Sequence, residues 1–99
     1  MITRIVRLSI SPDRVQDFLR KFHDTYPAIR HFEGCRHLQL FRDVQDENVL
    51  ITYSHWESSE HLDRYRNSEL FKSTWSEVKP MFVAQPVAFS MEEINRAEN

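Results

Sequence analysis

Histidine, tyrosine and tryptophan side chains are concentrated in the segment SHWESSEHLDRYRNSELF, residues 54–71. A histidine with a pKa of about 6.5 can take a proton from a phenol near neutral pH, and a tyrosine hydroxyl can donate or accept a hydrogen bond. Tryptophan and phenylalanine rings offer a planar aromatic molecule a surface to stack on. These residue types suit proton transfer involving an aromatic ligand in an apolar pocket.

Two side chains are the candidates for catalysis, His37 and Tyr65. Alternation along the strand places His37 on the same face as Cys35. If that face meets the helices, His37 points into a cavity, and otherwise it lies in an interface between sheets. His55 and Trp56 have opposite parity, so only one of these two side chains can line a cavity. Tyr65 stands on the inner face of a predicted short helix and needs a partner for its hydroxyl if it is buried.

Four further residues are candidates for contact with a substrate: Arg4, Trp56, Phe71 and Trp75. The three aromatic rings can line a pocket, although each also suits the core of a small domain, and Phe71 fits packing better. Arg4 and Arg7 fall on opposite faces of the first strand, so at least one guanidinium enters a mostly buried layer. Such a group needs a carboxylate partner or an anionic ligand, and both alternatives are open for Arg4.

The sequence predicts no metal site. No two histidines have the i, i+4 spacing of a helical metal site, and Cys35 is the only cysteine. A lone cysteine also cannot form an internal disulfide, which favours a reducing cytoplasm. The first residues, MITRIVRLSI, alternate instead of forming an export signal, so we expect a cytoplasmic protein.

Length and composition indicate one globular domain. The chain has 99 residues, of which 40% are hydrophobic and 28% charged. We assign residues 1–91 to the domain and residues 92–99 to a polar tail. No window approaches the roughly 18 apolar residues of a membrane span. The formal net charge is −2 with both signs interleaved, so neither a membrane nor a nucleic acid is an expected partner.

Hydrophobic periodicity predicts the elements that must position these residues. Alternation predicts strands over residues 2–10, 35–42, 49–56 and 87–91, and spacings of three and four predict one long and two short helices. Ser11, Ser58 or Ser59, and Ser68 are suitable N-caps, and Gly34 marks the turn after the first helix. The resulting order, βαββ(αα)β, is a ferredoxin-like α+β arrangement with a four-stranded antiparallel sheet.

The third strand indicates how the sheet is covered. Val49, Ile51 and Tyr53 fall on one side of it, and Leu50 and Trp56 fall on the other, so neither face is polar. Helices packed on one side leave an apolar face open. We therefore predict a homodimer in which two such faces meet and the sheets close into a barrel.

Several short runs resemble the antibiotic biosynthesis monooxygenase domain of the dimeric α+β barrel superfamily. They are Gly34-Cys35, the loop DVQDEN, YSHWES, and the stretch from Tyr65 to Ser68 with Leu70-Phe71. The resemblance covers residues 2–91 and implies a dimeric α+β barrel, with Trp56 rather than His55 facing the cavity. The superfamily also contains haem-degrading enzymes, quinol oxygenases and isomerases, so the resemblance identifies the fold better than the reaction.

The haem-degrading branch can be compared residue by residue. Its members are similar in having an asparagine on the first strand, a tryptophan on the second helix and a histidine on the third, where this chain has Val6, Tyr65 and Trp75. Without that histidine we expect no histidine-ligated haem. Arg4 shares its strand face with Val6, and this comparison favours Arg4 as a residue that lines the cavity.

The resemblance implies a cofactor-independent monooxygenase that acts on a quinol or polyphenol with O₂. Such a substrate is electron-rich enough when deprotonated to reduce O₂ itself, so the protein supplies a pocket and a base and needs no cofactor. The alternative is a module that binds a small apolar or aromatic metabolite without turnover. A third possibility is an isomerase of a small oxygenated metabolite, which requires several polar groups in the pocket.

Overall fold

The protein folds into a four-stranded antiparallel sheet with α-helices on one face. The computed structural model describes residues 1–97. The strands are β1 (Ile2–Ser9), β2 (Cys35–Arg42), β3 (Val49–Trp56) and β4 (Val87–Met91), and the helices are α1 (Val15–Arg30), α2 (Ser59–Arg66) and α3 (Glu69–Val78). The strand order in the sheet is β2-β3-β1-β4. The predicted ferredoxin-like α+β fold is therefore confirmed.

Serine caps fix the start of both short helices. The Ser58 hydroxyl accepts a hydrogen bond from the His61 backbone N–H at 3.2 Å, and the Ser68 hydroxyl accepts one from the Phe71 N–H at 3.1 Å. Ser68 Oγ also donates to the Tyr65 carbonyl at 2.6 Å. One serine thus joins the end of α2 to the start of α3 and holds Tyr65 beside Phe71.

The start of the first helix differs from the prediction. A 3-10 turn over Pro12–Arg14 precedes α1, and the Ser11 hydroxyl donates to the Asp13 carboxylate instead of capping a backbone N–H. The α-helix therefore begins at Val15. Its other end has His31 as the C-cap, shortly before the Gly34 turn that the sequence indicated.

Gly34 forms the turn between α1 and β2 with a φ of 90°. Side chains with a Cβ disfavour this left-handed region. A Cβ at this position would also lie 2.5 Å from the Cβ of His61 in α2. The backbone of this turn therefore approaches the start of α2 closely, and only glycine fits both requirements.

The core lies between the sheet and the helices in two clusters. The larger cluster includes Leu8, Phe18 and Leu50, and the smaller one consists of Cys35, Trp56 and Leu62. One face of the sheet packs against the helices. It carries the even-numbered residues of β1, β3 and β4, together with Leu38 of β2. The two clusters therefore lie at different ends of the same sheet face.

A β-bulge in β2 overturns one expected orientation. Cys35 pairs with Trp56, but His37 pairs with the adjacent residue of β3, His55. The irregularity between Cys35 and His37 breaks the simple alternation, so the two side chains lie on opposite faces of the sheet. The expectation that His37 shares the face of Cys35 is wrong for this reason.

The face of the sheet away from the helices carries apolar side chains. Phe41 and Phe89 are 45% and 47% exposed on this face, and Val87 and Met91 are also exposed. The pairing of Ile5 with Tyr53 and Phe89 places its side chain among them. We call this surface the open face, and it is the one that the homodimer prediction concerns.

Beyond β4 the chain carries no further helix or strand through residue 97. The last two residues of the predicted polar tail, 98–99, lie outside the described residues. None of the helices in the described part is long and apolar enough to cross a membrane.

Candidate active site

A cavity of about 360 Å³ lies between the helix-facing side of the sheet and the three helices. Its lining includes Leu8 and Phe18 of the larger core cluster and Trp56 and Leu62 of the smaller one. The cavity therefore occupies the gap between the two clusters. Its volume falls within the range of about 300–1,000 Å³ that is typical of small-molecule sites.

Four aromatic rings form one side of this cavity, and we call them the aromatic wall: Trp56, Tyr65, Phe71 and Trp75. Trp56 stacks on Tyr65 with 4.9 Å between ring centroids, and Phe71 stacks on Trp75 at 5.7 Å. The Tyr65 and Phe71 rings meet edge to face at 5.3 Å. β3, α2 and α3 each contribute to this wall, which gives a planar ligand an extended surface to pack on.

Trp56 is the most deeply buried member of the aromatic wall. Its side chain is 1% exposed, and its indole N–H donates to the Ser54 hydroxyl at 3.0 Å. Phe32 packs against the same ring at 6.3 Å. Trp56 therefore serves the core and lines the cavity at the same time.

Tyr65 brings a hydroxyl group to this apolar surface. Burial, and secondarily the nearby Cys35, raise the pKa of Tyr65 above its usual value, so the phenol stays protonated at neutral pH. The hydroxyl makes no hydrogen bond to residues 1–97. Every fully buried side-chain N or O atom in these residues has a hydrogen-bond partner, so the Tyr65 hydroxyl is not among the fully buried atoms. The Tyr65 hydroxyl therefore remains accessible, and because its ring lines the cavity it can donate a hydrogen bond to a ligand.

Arg4 lines the cavity from the sheet. It donates a hydrogen bond to Ser90 Oγ of β4 at 3.1 Å. Burial and the charge of Arg66 lower the pKa of Arg4 below its usual value, but a guanidinium stays protonated. Within residues 1–97 neither arginine forms an ion pair. The alternative of a salt bridge to a helix carboxylate is not found for Arg4.

The charged groups of the lining are all cationic: Arg4, Lys21 and Arg66. Lys21 forms an ion pair with Glu77, which links α1 to α3. Among the described residues no histidine, aspartate or glutamate lines this cavity. The site therefore offers positive charge and a phenolic donor, but no side chain that acts as a base at neutral pH.

The two central histidines lie on the open face and not in the cavity. His37 Nε2 is 2.6 Å from Gln39 Oε1, and His55 Nε2 is 2.9 Å from the Tyr53 hydroxyl. The two imidazole rings are 5.2 Å apart. Of the two orientations left open for His37, the structure has the one away from the cavity, because the bulge in β2 turns its ring to the other side of the sheet, so His37 is not placed to act as a base within the cavity.

Arg66 and Lys21 also line the cavity, although neither was predicted to do so. Helical spacing indicates both positions, because residues four apart lie on the same face of a helix. Arg66 is four residues after Leu62, and Lys21 is four residues before Thr25, and both of these partners line the cavity. Charged side chains at these positions were not singled out, since a charge on a helix is usually solvated. Within residues 1–97 no three metal-binding side chains come together.

Fold and cavity together define a ferredoxin-like α+β domain with a ligand-sized, aromatic-lined space beneath its helices. The family model described as antibiotic biosynthesis monooxygenase matches residues 1–75. The chain belongs to this family. No protein in the curated set matches the sequence.

Solved structures agree with this fold. The crystal structure of an antibiotic biosynthesis monooxygenase has a TM-score of 0.89 at 18% identity, covering 96% of this chain and 100% of the other. A protein of Caulobacter crescentus CB15 has a TM-score of 0.88 at 21% identity, with 95% and 90% covered. A conserved protein of Methanosarcina mazei Go1 has a TM-score of 0.87 at 17% identity, with 94% and 93% covered. At these identities the likeness defines the fold alone.

Proposed function

We propose that this protein is a cofactor-independent monooxygenase that oxidises a quinol or polyphenol in the cavity beneath its helices. One observation carries the proposal: the aromatic wall, which includes Tyr65 with its hydroxyl group, and Arg4 line the same space. This combination suits a flat substrate with phenolic oxygen atoms. Membership of the antibiotic biosynthesis monooxygenase family supports the reaction type.

In the proposed reaction the substrate supplies all the electrons. For an anthrone, deprotonation gives an electron-rich anion whose reacting carbon forms a bond to one atom of O₂. The O–O bond then breaks, that atom becomes the new carbonyl oxygen, and the other leaves as water with the two hydrogens of the former CH₂ group. The carbon loses four electrons, and O₂ gains four.

The side chains of the cavity stabilise the substrate anion in this proposal. The cationic lining of the cavity favours anionic forms of a bound substrate, including a deprotonated phenol. Tyr65 donates a hydrogen bond to the resulting oxygen anion, since its own phenol remains protonated. Because no histidine or carboxylate lines the described cavity, solvent takes the proton. This replaces the expected role of a histidine.

A binding module is the second candidate function. It is favoured by the same lack of a side-chain base among the described lining residues, because binding an aromatic metabolite requires no proton transfer. An isomerase is less favoured. It needs several polar groups around the reacting atoms, whereas most of the lining is apolar.

We also propose that the protein is a homodimer in the cytoplasm. The open face exposes Phe41, Val87 and Phe89, which a second copy of the same face would cover. Proteins of this family are typically dimeric, which supports a second copy as the partner. Cys35 as the only cysteine supports the cytoplasmic location.

Oxygen consumption tests the enzyme proposal against the binding proposal. Chelator-treated protein is mixed with a panel of naphthoquinols and anthrones in an oxygen-electrode cell, and binding of each compound is measured under argon. We expect oxygen uptake above the uncatalysed rate for compounds that bind. The pH at which the rate rises should differ between substrates and follow their phenol pKa values. Binding of the panel without any such uptake would support the binding module instead.

A further inference from the structure

We propose that the natural substrate carries a carboxylate group, which Arg4 and Arg66 bind together at the edge of the aromatic wall. The inference deepens the proposed function and rests on it, because it treats the cavity as the substrate site. It assigns a specificity role to two arginines and restricts the substrate class to acidic aromatic compounds.

The charged residues that line the cavity are positive, whereas the chain as a whole has a formal net charge of −2. The protein has 15 acidic and 13 basic residues. The described lining nevertheless contains three cations and no carboxylate. Lys21 is neutralised by Glu77, which leaves Arg4 and Arg66 as the charges that face the space without an ion-pair partner in residues 1–97.

The two arginines reach the cavity from different elements. Arg4 is in β1, where it pairs with Ser54 and Ser90, and Ser54 in turn accepts the indole N–H of Trp56. Arg66 is the last residue of α2 and follows Tyr65 directly. Both arginines line the same cavity as Trp56 and Tyr65, and the charge of Arg66 acts on Arg4. The proposal places the ring of the substrate on Trp56 and Tyr65 and its carboxylate between the two arginines.

An anionic ligand relieves an unfavourable arrangement of charges in the cavity. Arg66 is exposed, and its positive charge acts on Arg4, which is partly buried, in the cavity that both residues line. Two like charges in such a space repel, and a carboxylate between them offsets the repulsion. A guanidinium has five N–H donors, and Arg4 gives one hydrogen bond to Ser90, so donors remain for both oxygens of a carboxylate.

A carboxylate fits this role better than the reacting phenolate does. The phenolate forms only after the substrate has bound, whereas a carboxylate is ionised at neutral pH before it enters. By binding this permanently ionised carboxylate, the two arginines orient the ring before oxidation begins. They also discriminate strongly against neutral analogues, because those analogues leave the guanidinium donors unpaired.

A matched pair of non-reacting ligands isolates this preference. 2-Naphthoate and 2-naphthamide have almost the same shape, neither has an ionisable phenol, and only the first is anionic at pH 7.5. Isothermal titration calorimetry with the whole protein should give the naphthoate an affinity about ten- to a hundred-fold higher, the range expected for charge-assisted hydrogen bonds. The preference should weaken as salt concentration rises.

Substitutions then assign the preference to the two arginines. Arg4→Gln and Arg66→Gln should each reduce the naphthoate affinity at least about fivefold and leave the naphthamide affinity within about twofold. Arg64→Gln is the matched control, because Arg64 lies in the same helix as Arg66 but pairs with Glu33 and does not line the cavity. This control should bind both ligands as the unmodified protein does. Thermal unfolding of each variant checks that the fold is retained.

Two results would overturn the proposal. One is equal affinity for the two ligands, or no binding of the naphthoate, in the unmodified protein. The other is a preference that survives in both Arg4→Gln and Arg66→Gln. Neither ligand is oxidised in this measurement, so the outcome does not depend on turnover. Absence of oxygen uptake with quinols, together with a clear preference for the naphthoate, would refute the monooxygenase proposal and retain the anion site.

Discussion

Tyr65 combines two properties at a single position in α2. Its ring stacks on Trp56 within the aromatic wall, and its hydroxyl has no hydrogen-bond partner in residues 1–97 and is not fully buried. Burial keeps the phenol protonated, so it donates a hydrogen bond and does not remove a proton. The sequence predicted that Tyr65 faces inward, but the upward shift of its pKa follows from the packing of α2 against β3 and α3.

Tyr65→Phe separates the hydroxyl from the ring. The ring contacts remain and the hydroxyl has no partner in residues 1–97, so the free energy of unfolding should change by less than about 1 kcal/mol. The rate of oxygen uptake should fall by roughly ten- to a hundred-fold, because the substrate anion loses a hydrogen-bond donor. Initial rates and denaturant unfolding of the same preparation measure both quantities. An unchanged rate would remove Tyr65 from the proposed mechanism.

At the scale of the elements, the sequence predicted most of the fold. Alternating residues gave the ranges of β2 and β3, and Ser58 and Ser68 cap α2 and α3 as expected. The pattern could not reveal the bulge between Cys35 and His37, because a bulge adds one residue without changing the residue types around it. That single residue decides which face His37 occupies. The prediction for the cavity was therefore less complete than the prediction for the fold.

The contact between the Gly34 turn and α2 gives a stability test. Gly34→Ala should lower the free energy of unfolding by about 1–3 kcal/mol for the left-handed backbone alone, and by more because the new methyl group meets His61. Equilibrium unfolding in urea measures the change. Glu33→Ala is the neighbouring control and should cost less than about 0.5 kcal/mol, since Glu33 is at the surface. Equal stability of both variants would contradict this account of the turn.

At the scale of the whole molecule, the open face carries the groups through which the proposed association would depend on pH. The titratable and charged side chains on this face are Arg7, His37, Tyr53 and His55. Burial and the neighbouring His37 lower the pKa of His55 below its usual value. The folded protein therefore favours neutral His55, and the associated stabilisation is complete above a pH of about 6.5 and decreases as the pH falls below it.

Covering the open face with a second copy should strengthen this dependence, because burial of a charged imidazole is unfavourable. We expect a stable dimer at pH 7.5 and measurably weaker association at pH 5.5, as determined by sedimentation velocity. The double variant His37→Gln and His55→Gln should lose most of the difference between the two pH values. A stable monomer at pH 7.5 would refute the homodimer, and a dimer of equal affinity at both pH values would refute the role of the histidines.

The destination of the two oxygen atoms tests the central claim most directly. Protein treated with a chelator is supplied with an anthrone under ¹⁸O₂, and the product is analysed by mass spectrometry together with a peroxide assay. The proposed reaction places one labelled oxygen atom in each product molecule, consumes one O₂ per product and forms no hydrogen peroxide. Product without label, or hydrogen peroxide in an amount equal to the substrate consumed, would contradict the assignment as a monooxygenase.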